Sequence, residues 1–313
     1  MSTGHLTSAM CLRLDREALR LTDLLRGEGV PSVLLKGPVL QRFLYDEELR
    51  GYVDMDVLVP AAQLAQVLAL LDADGYRPAM PNASELETAS HAVTLVGSRG
   101  LQLDLHTQLN GTMTRPDTLW DVLSGETEPM ALAGGTVDVG NAAFRALIVV
   151  LHAAQHGKSE PKPIEDLRRL AERSEEADVL RAAELAGRLG AAENFSSGLR
   201  LSSALSSHYP ELAFASKGNL LVRARADSGH LQPGVLVLAA MLSGSRGRRV
   251  RVLARALWPT QDYLMAWAAL QGVDRSRSTA WLRVQRFAYQ LRALPRALRA
   301  LRALARERRH GAR

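Results

Sequence analysis

The chain has 313 residues, 47% hydrophobic and 23% charged, an ordinary globular composition with room for one large or two medium domains. Cys11 is the only cysteine, which excludes a disulfide framework and a cysteine-based zinc site; no apolar run approaches the ~18 residues that span a bilayer and no secretory leader is visible, so the expected location is the cytoplasm. The net charge is +6, yet Trp281–Arg313 alone holds ten Arg, no Lys and one acid, so subtracting that +9 leaves about −3 for residues 1–280, which excludes the broad basic surface of a nucleic-acid enzyme.

Leu12 to Arg26 sets Leu14, Leu21, Leu24 and Leu25 at helical spacing, and Gly27 and Gly29 close that helix. Ser32 to Lys36 is a short apolar strand. Gly37-Pro38 breaks it, and Val39 to Tyr45 follows as a helix, since proline suits a first helical turn. Arg50 and Gly51 fall in a loop. Val53–Val59 alternates with the period of a strand and stops at Pro60. Leu64, Val67, Leu68 and Leu71 then predict a helix that ends at Gly75. His91–Val96 and Leu101–His106 are strands joined by Gly97-Ser98-Arg99-Gly100, a hairpin signal, and Thr136–Val139 is one more strand.

From Asn141 onward Ala/Leu/Arg-rich helical patterns dominate. Asn141 is placed to cap a helix through Ala154. Pro161 and Pro163 read as a break, and helices follow at Ile164–Ala177, Val179–Leu189 and Asn194–Ser206. Residues 243–247 form a turn, and helices resume to the end, with Pro295 as a kink or break. The expected fold is α+β: a small mixed sheet with flanking helices over residues 1–140, then a mainly α-helical domain over 141–313 with a basic C-terminal helix. In that last helix Leu291, Leu294, Leu298 and Leu301 recur among Arg292, Arg296, Arg299 and Arg302. Such a helix either packs on its own domain or makes peripheral contact with an anionic membrane, an acidic partner or RNA.

The chemistry gathers on two strands. Strand geometry puts Asp54 and Asp56 on one face, roughly 7 Å apart, and Asp104 on the same kind of face of another strand. Clustered carboxylates repel one another unless a cation lies between them, and Mg²⁺ is commonly held by a few carboxylates plus substrate phosphates. The bland alternative is a solvated sheet face. Gly37, at the strand-to-helix turn before them, suits close approach of backbone N–H groups to a phosphate. Lys36 offers a point charge to that phosphate, a cap for the turn, or a partner for one of the aspartates. Arg50, four residues before Asp54, is a weaker phosphate candidate, set against an exposed loop arginine. His106 shares the face of Asp104 and reads as a supporting or substrate-contacting residue, or as a solvated strand histidine. His152 and His156 share a helix face; the H-E-x-x-H pattern is absent, so packing or a hydrogen bond is expected of them. Asp166 reads from its position as a helix-N-terminal acid. No G-x-S-x-G and no P-loop motif occurs.

The order Leu34-Leu35-Lys36-Gly37, Tyr45, Arg50, Asp54-Met55-Asp56-Val57-Leu58-Val59, then Leu103-Asp104-Leu105-His106 resembles the polymerase-beta-type nucleotidyltransferase superfamily, and within it the bacterial nucleotidyltransferase family 5. In that family the Lys-Gly turn stands where better-known members carry Gly-Ser or Gly-Gly. The resemblance continues through Leu151-His152-Ala153-Ala154-Gln155-His156-Gly157, Ile164-Glu165-Asp166-Leu167 and Leu257-Trp258-Pro259-Thr260 with Tyr263-Leu264.

The resemblance implies a magnesium-dependent transferase that moves a nucleoside monophosphate from an NTP, such as ATP, to a hydroxyl-type acceptor and releases pyrophosphate. It implies Asp54, Asp56 and Asp104 as catalytic ligands of two Mg²⁺ ions, with Lys36, Gly37 and Arg50 at the nucleotide. His106, His152, His156 and Asp166 are left as substrate-contacting or supporting residues. A small molecule or a peptide is the expected acceptor. Two alternatives stand beside this: a nucleotide-binding or scaffold protein without catalysis, and an RNA-directed transferase that uses the arginine tail.

Overall fold

A computed structural model of the chain describes residues 3–45, 48–79, 92–158, 160–215, 258–259, 261–270, 273–274, 276–292 and 295. The backbone divides into two units, Met1–Ala79 with His91–Lys217 and Met80–Ser90 with Gly218–Arg313.

The first unit is built on a seven-stranded mixed sheet in the order β3-β4-β5-β2-β1-β7-β6. Its strands are β1 (Val33–Leu34), β2 (Asp54–Leu58), β3 (Arg77–Pro78), β4 (Ala92–Val96), β5 (Gln102–His106), β6 (Thr127–Leu132) and β7 (Gly135–Gly140). β2 lies at the centre, parallel to β5 and antiparallel to β1. The expected hairpin is present as the antiparallel pair β4–β5. β6 was not anticipated. Pro129 interrupts its pattern, and an edge strand tolerates proline because one side of its ladder is unpaired.

The period-two alternation sends the two faces into different cores. Leu34, Met55, Val57, Leu103, Leu105 and Val139 pack with Leu14, Leu21 and Leu25 of α1 (Thr3–Gly27) and with Val67 and Leu71 of α3 (Leu64–Ala73). Val33, Leu35 and Leu58 face the other way, into a core with Phe144, Leu147 and Leu151 of α5 (Ala142–His156). Each fully buried leucine in these layers contributes about 2 kcal/mol.

Between β1 and β2 the chain makes α2 (Pro38–Leu40) and then a π-helical turn, Gln41–Tyr45, where a regular helix was expected. α4 (Pro116–Leu123) precedes the β6–β7 hairpin. Around α5 stand α6 (Pro161–Arg173), α7 (Glu176–Arg188), α8 (Ala192–Leu199), α9 (Ser203–His208) and α10 (Pro210–Phe214). Asn141 does cap α5: its side-chain oxygen accepts from the Phe144 N–H at 3.0 Å. Pro161 and Pro163 lie in the first turn of α6 and do not break it, because the N–H groups they lack have no partner there. The helix expected over Asn194–Ser206 is two helices, since Ser202 starts a new one by accepting from the Leu205 N–H. Gly198 lets α8 press against α5; a Cβ there would lie 2.3 Å from the Val150 carbonyl oxygen.

The second unit shows α11 (Gln261–Leu270) and a helix over 279–292, with Leu264, Ala268 and Leu282 buried together. Trp258 is exposed beneath the Arg283 guanidinium, and Leu291 is exposed. Residues 243–247, Leu257, Thr260, Leu294, Leu298, Leu301 and the arginines from Arg296 onward lie outside the described residues. Among the described residues no helix is long and apolar enough to cross a membrane.

Candidate active site

β2 directs Asp54, Asp56 and Leu58 to the face that α5 covers, and β5 does the same with Gln102, Asp104 and His106. Cover thins along both strands: Leu58 and His106 are buried, Asp56 is buried, and Asp54, Asp104 and Gln102 are half-buried. The parallel register pairs Asp54 with Gln102, Asp56 with Asp104 and Leu58 with His106. Neighbouring strands lie about 4.8 Å apart. Three carboxylates therefore share one face of two adjacent central strands, at the margin of the helical cover. Gln102 donates to Asp104 at 3.4 Å.

Asp56 is the most enclosed of the three, its side chain 3% exposed. Its Oδ1 receives the Lys36 ammonium at 2.7 Å and the His106 Nε2 at 2.9 Å. Burial alone would raise this carboxyl, but Lys36 and His106 together hold it well below the usual carboxylate range. Asp54 goes the other way. Burial raises it, Asp56 and Asp104 raise it further, and Lys36 and Lys162 only partly oppose them. Lys36 is carried to this point by the end of β1, where the Leu35 N–H donates to the Asp56 backbone oxygen at 2.9 Å. Gly37 then turns the chain with φ 59°, and a Cβ there would meet the Tyr52 ring at 3.3 Å and the Asp54 carbonyl oxygen at 3.5 Å. Glycine is required by both the left-handed backbone and the close approach.

Arg50 buries its side chain at the site's border. Its side chain is 4% exposed and forks onto Asp166, itself 1% exposed, with Nε at 2.9 Å and the terminal nitrogen at 2.6 Å. The Tyr45 hydroxyl donates to the same carboxylate at 2.7 Å, and the Arg169 guanidinium lies 4.1 Å over the Tyr45 ring. Burial and Asp166 both raise the Tyr45 phenol. Asp166 is thus a buried anchor in the middle of α6, tied to the turn that leads into β2.

Lys162, which sequence reasoning did not single out, donates to the Gly51 carbonyl oxygen at 2.5 Å, and its charge acts on Asp54. Its placing depends on Pro161 starting α6 opposite that loop, which no local pattern announces. His152 and His156 meet edge to face with ring centroids 4.6 Å apart. His152 lines a cavity of about 30 Å³ together with Lys36, His106 and Asn110. Burial, then Lys36 and His156, hold its imidazole well below the ordinary histidine range, so it is neutral.

The donor set suits a hard cation, being made of carboxylate oxygens. Among the described residues no three His, Cys, Asp or Glu side chains form a ready-made metal cage. Lys36 already occupies one Asp56 oxygen, and ligands supplied by substrate phosphates are what such a site would need to complete it.

The family model for uncharacterised nucleotidyltransferases matches residues 7–206. No curated protein sequence matches the chain. Solved structures that resemble it include the antibiotic-resistance factor ANT(2'')-Ia, at 14% identity and TM-score 0.40, covering 58% of this chain and 94% of that one. The lincosamide antibiotic adenylyltransferase LnuA bound to lincomycin is similar at 16% identity and TM-score 0.32, covering 55% and 96%. An antigenic nucleotidyltransferase-like protein from Paracoccidioides brasiliensis is similar at 15% identity and TM-score 0.35, covering 69% and 93%.

Proposed function

The chain belongs to the family of uncharacterised nucleotidyltransferases, and from that membership we propose that it moves a nucleoside monophosphate from an NTP to a hydroxyl of a small molecule or peptide, with release of pyrophosphate. The observation that supports this reading is the trio Asp54, Asp56 and Asp104 on one face of β2 and β5, beside the Lys36-Gly37 turn.

Asp54 and Asp56 would hold Mg²⁺, with Asp104 completing the set. Bound there, the metal supplies Lewis-acid stabilisation of the charge on the transferring phosphate. Asp104, half-buried and alongside Asp56, takes the proton of the acceptor hydroxyl as a general base. The acceptor oxygen then forms a bond to the α-phosphorus as the bond to the pyrophosphate oxygen breaks. Gly37 leaves room for the triphosphate to approach the backbone, and Lys36 and Lys162 supply positive charge that acts on Asp54. Arg50, with Asp166 and Tyr45, holds the turn before β2 against α6 and so sets where Asp54 stands. Acceptor choice would fall to α5 and α6, which pack beside the face that carries the trio. Free Cys11 fits a reducing compartment, and the cytoplasm is the assigned location.

The test is incubation with each of four α-phosphate-labelled NTPs, Mg²⁺ and cell extract, with mass spectrometry of the products. Transfer of label to an adduct heavier by one nucleoside monophosphate, abolished by Asp54→Ala and Asp56→Ala, is the expected result. Label transfer unchanged in both variants refutes the site.

A further inference from the structure

We infer that Lys36 is a displaceable counter-ion: it and a divalent cation call on the same Asp56 oxygen, and His152 is the positioning residue that receives the Lys36 ammonium when the cation takes that oxygen. This rests on the reading of Asp54, Asp56 and Asp104 as metal ligands.

Five observations carry it. Asp56 is buried, so its carboxylate keeps a compensating positive charge beside it at all times. That charge now comes from Lys36, at 2.7 Å from Oδ1. Lysine holds it as a point charge on a flexible four-carbon stem, without the fixed fork that ties an arginine to its carboxylate. Lys36 also keeps 24% of its side chain exposed, so its head is not walled in. The cavity of about 30 Å³ beside it, lined by Leu35, His106, Asn110 and His152, leaves space on one side of its path.

The fifth observation gives the lysine somewhere to go. The Nδ1 of His152 is buried and accepts or donates no hydrogen bond among the described residues. A buried ring nitrogen left that way is costly. His152 lines that cavity, and in its neutral ring with the proton on Nε2 the Nδ1 is an acceptor. Lys36 is the charged group that acts most strongly on it. An ammonium moved off Asp56 into this cavity gains a hydrogen bond there and stays close enough to the carboxylates to balance their charge.

The experiment uses the full chain without nucleotide and titrates Mn²⁺, read by electron paramagnetic resonance of free ion. Lys36→Met is expected to tighten binding about tenfold, because a competing charge is removed. His152→Leu is expected to weaken it about fivefold, the value of one hydrogen bond. In the Lys36→Met background His152→Leu is expected to change affinity by less than about twofold, since no ammonium remains to be received. A structural role alone for His152 gives the same loss in both backgrounds and overturns the inference.

A second measurement needs no loss of charge. The chain has only four lysines, Lys36, Lys158, Lys162 and Lys217, so a protein labelled at lysine Cε gives four carbon signals. The Lys36 signal, identified by its loss in Lys36→Arg, is expected to move on addition of Mg²⁺ and to move much less in His152→Leu. If the wild-type protein binds Mn²⁺ no better than Asp56→Asn, the metal reading itself fails and the inference with it. If it binds and the Lys36 signal stays in place, only the inference is overturned.

Discussion

Of two buried carboxylates, Asp166 at the border of the candidate site and Asp56 within it, each has one cation, yet they are held in opposite ways. Asp166 takes a two-point fork from Arg50 and a third bond from Tyr45, and both ionic partners are almost wholly enclosed. Asp56 takes a single-point contact from Lys36, which stays part-exposed, and a bond from neighbouring His106 to the same oxygen. The first arrangement is satisfied at every approach and fixes one geometry. The second meets the charge with a cation held at a single point. One region is a clasp between α6 and the turn before β2; the other is the site proposed for binding.

Substitutions can separate the two roles. Asp54→Asn, at the half-buried end of the trio, is expected to cut nucleotidyl transfer by about three orders of magnitude. Its melting temperature should hardly move, as calorimetry can check. Arg50→Ala does the reverse. It leaves Asp166 buried and uncompensated, and is expected to cost about 3–5 kcal/mol in denaturant unfolding. Replacing both partners by Arg50→Met and Asp166→Leu should restore much of that loss, because a filled apolar pair leaves no stranded charge.

Tyr45→Phe removes one bond to Asp166 while the fork remains, and about 1 kcal/mol of stability is the expected loss. The smallest effect concerns pH. His152 is held below its ordinary value of 6.5 by burial, so below about pH 6.5 the unfolded chain takes up a proton that the folded chain refuses. Stability conferred by the neutral ring therefore falls as pH drops from 6.5, by no more than about 1.4 kcal/mol per pH unit. In His152→Leu that part of the slope disappears; equal slopes from pH 7 to 5 would show that the ring is not held neutral.

The local features of this fold were legible where one segment carries the whole signal. The Asp-bearing strands, the glycine turn between β4 and β5 and the Asn141 cap all follow from spacing within a few residues. The strand β6 was hidden because Pro129 breaks its pattern and only its edge position makes that acceptable. The clasp was hidden for another reason. Arg50 and Asp166 are 116 residues apart, and a loop arginine gives no local sign of whether it will be solvated or buried. Lys36 was legible as a choice between phosphate and aspartate, and the structure shows the aspartate contact. Lys162 reaches Gly51 across 111 residues of sequence and had no signal at all.

The most direct measurement of the central claim is a crystal of the protein with Mn²⁺ and an α,β-methylene NTP analogue, recorded at the manganese absorption edge. Anomalous density is expected against the carboxylates of Asp54 and Asp56, with the analogue's phosphates lying over the Gly37 turn. Density elsewhere, or phosphates bound away from β2 and β5, contradicts it.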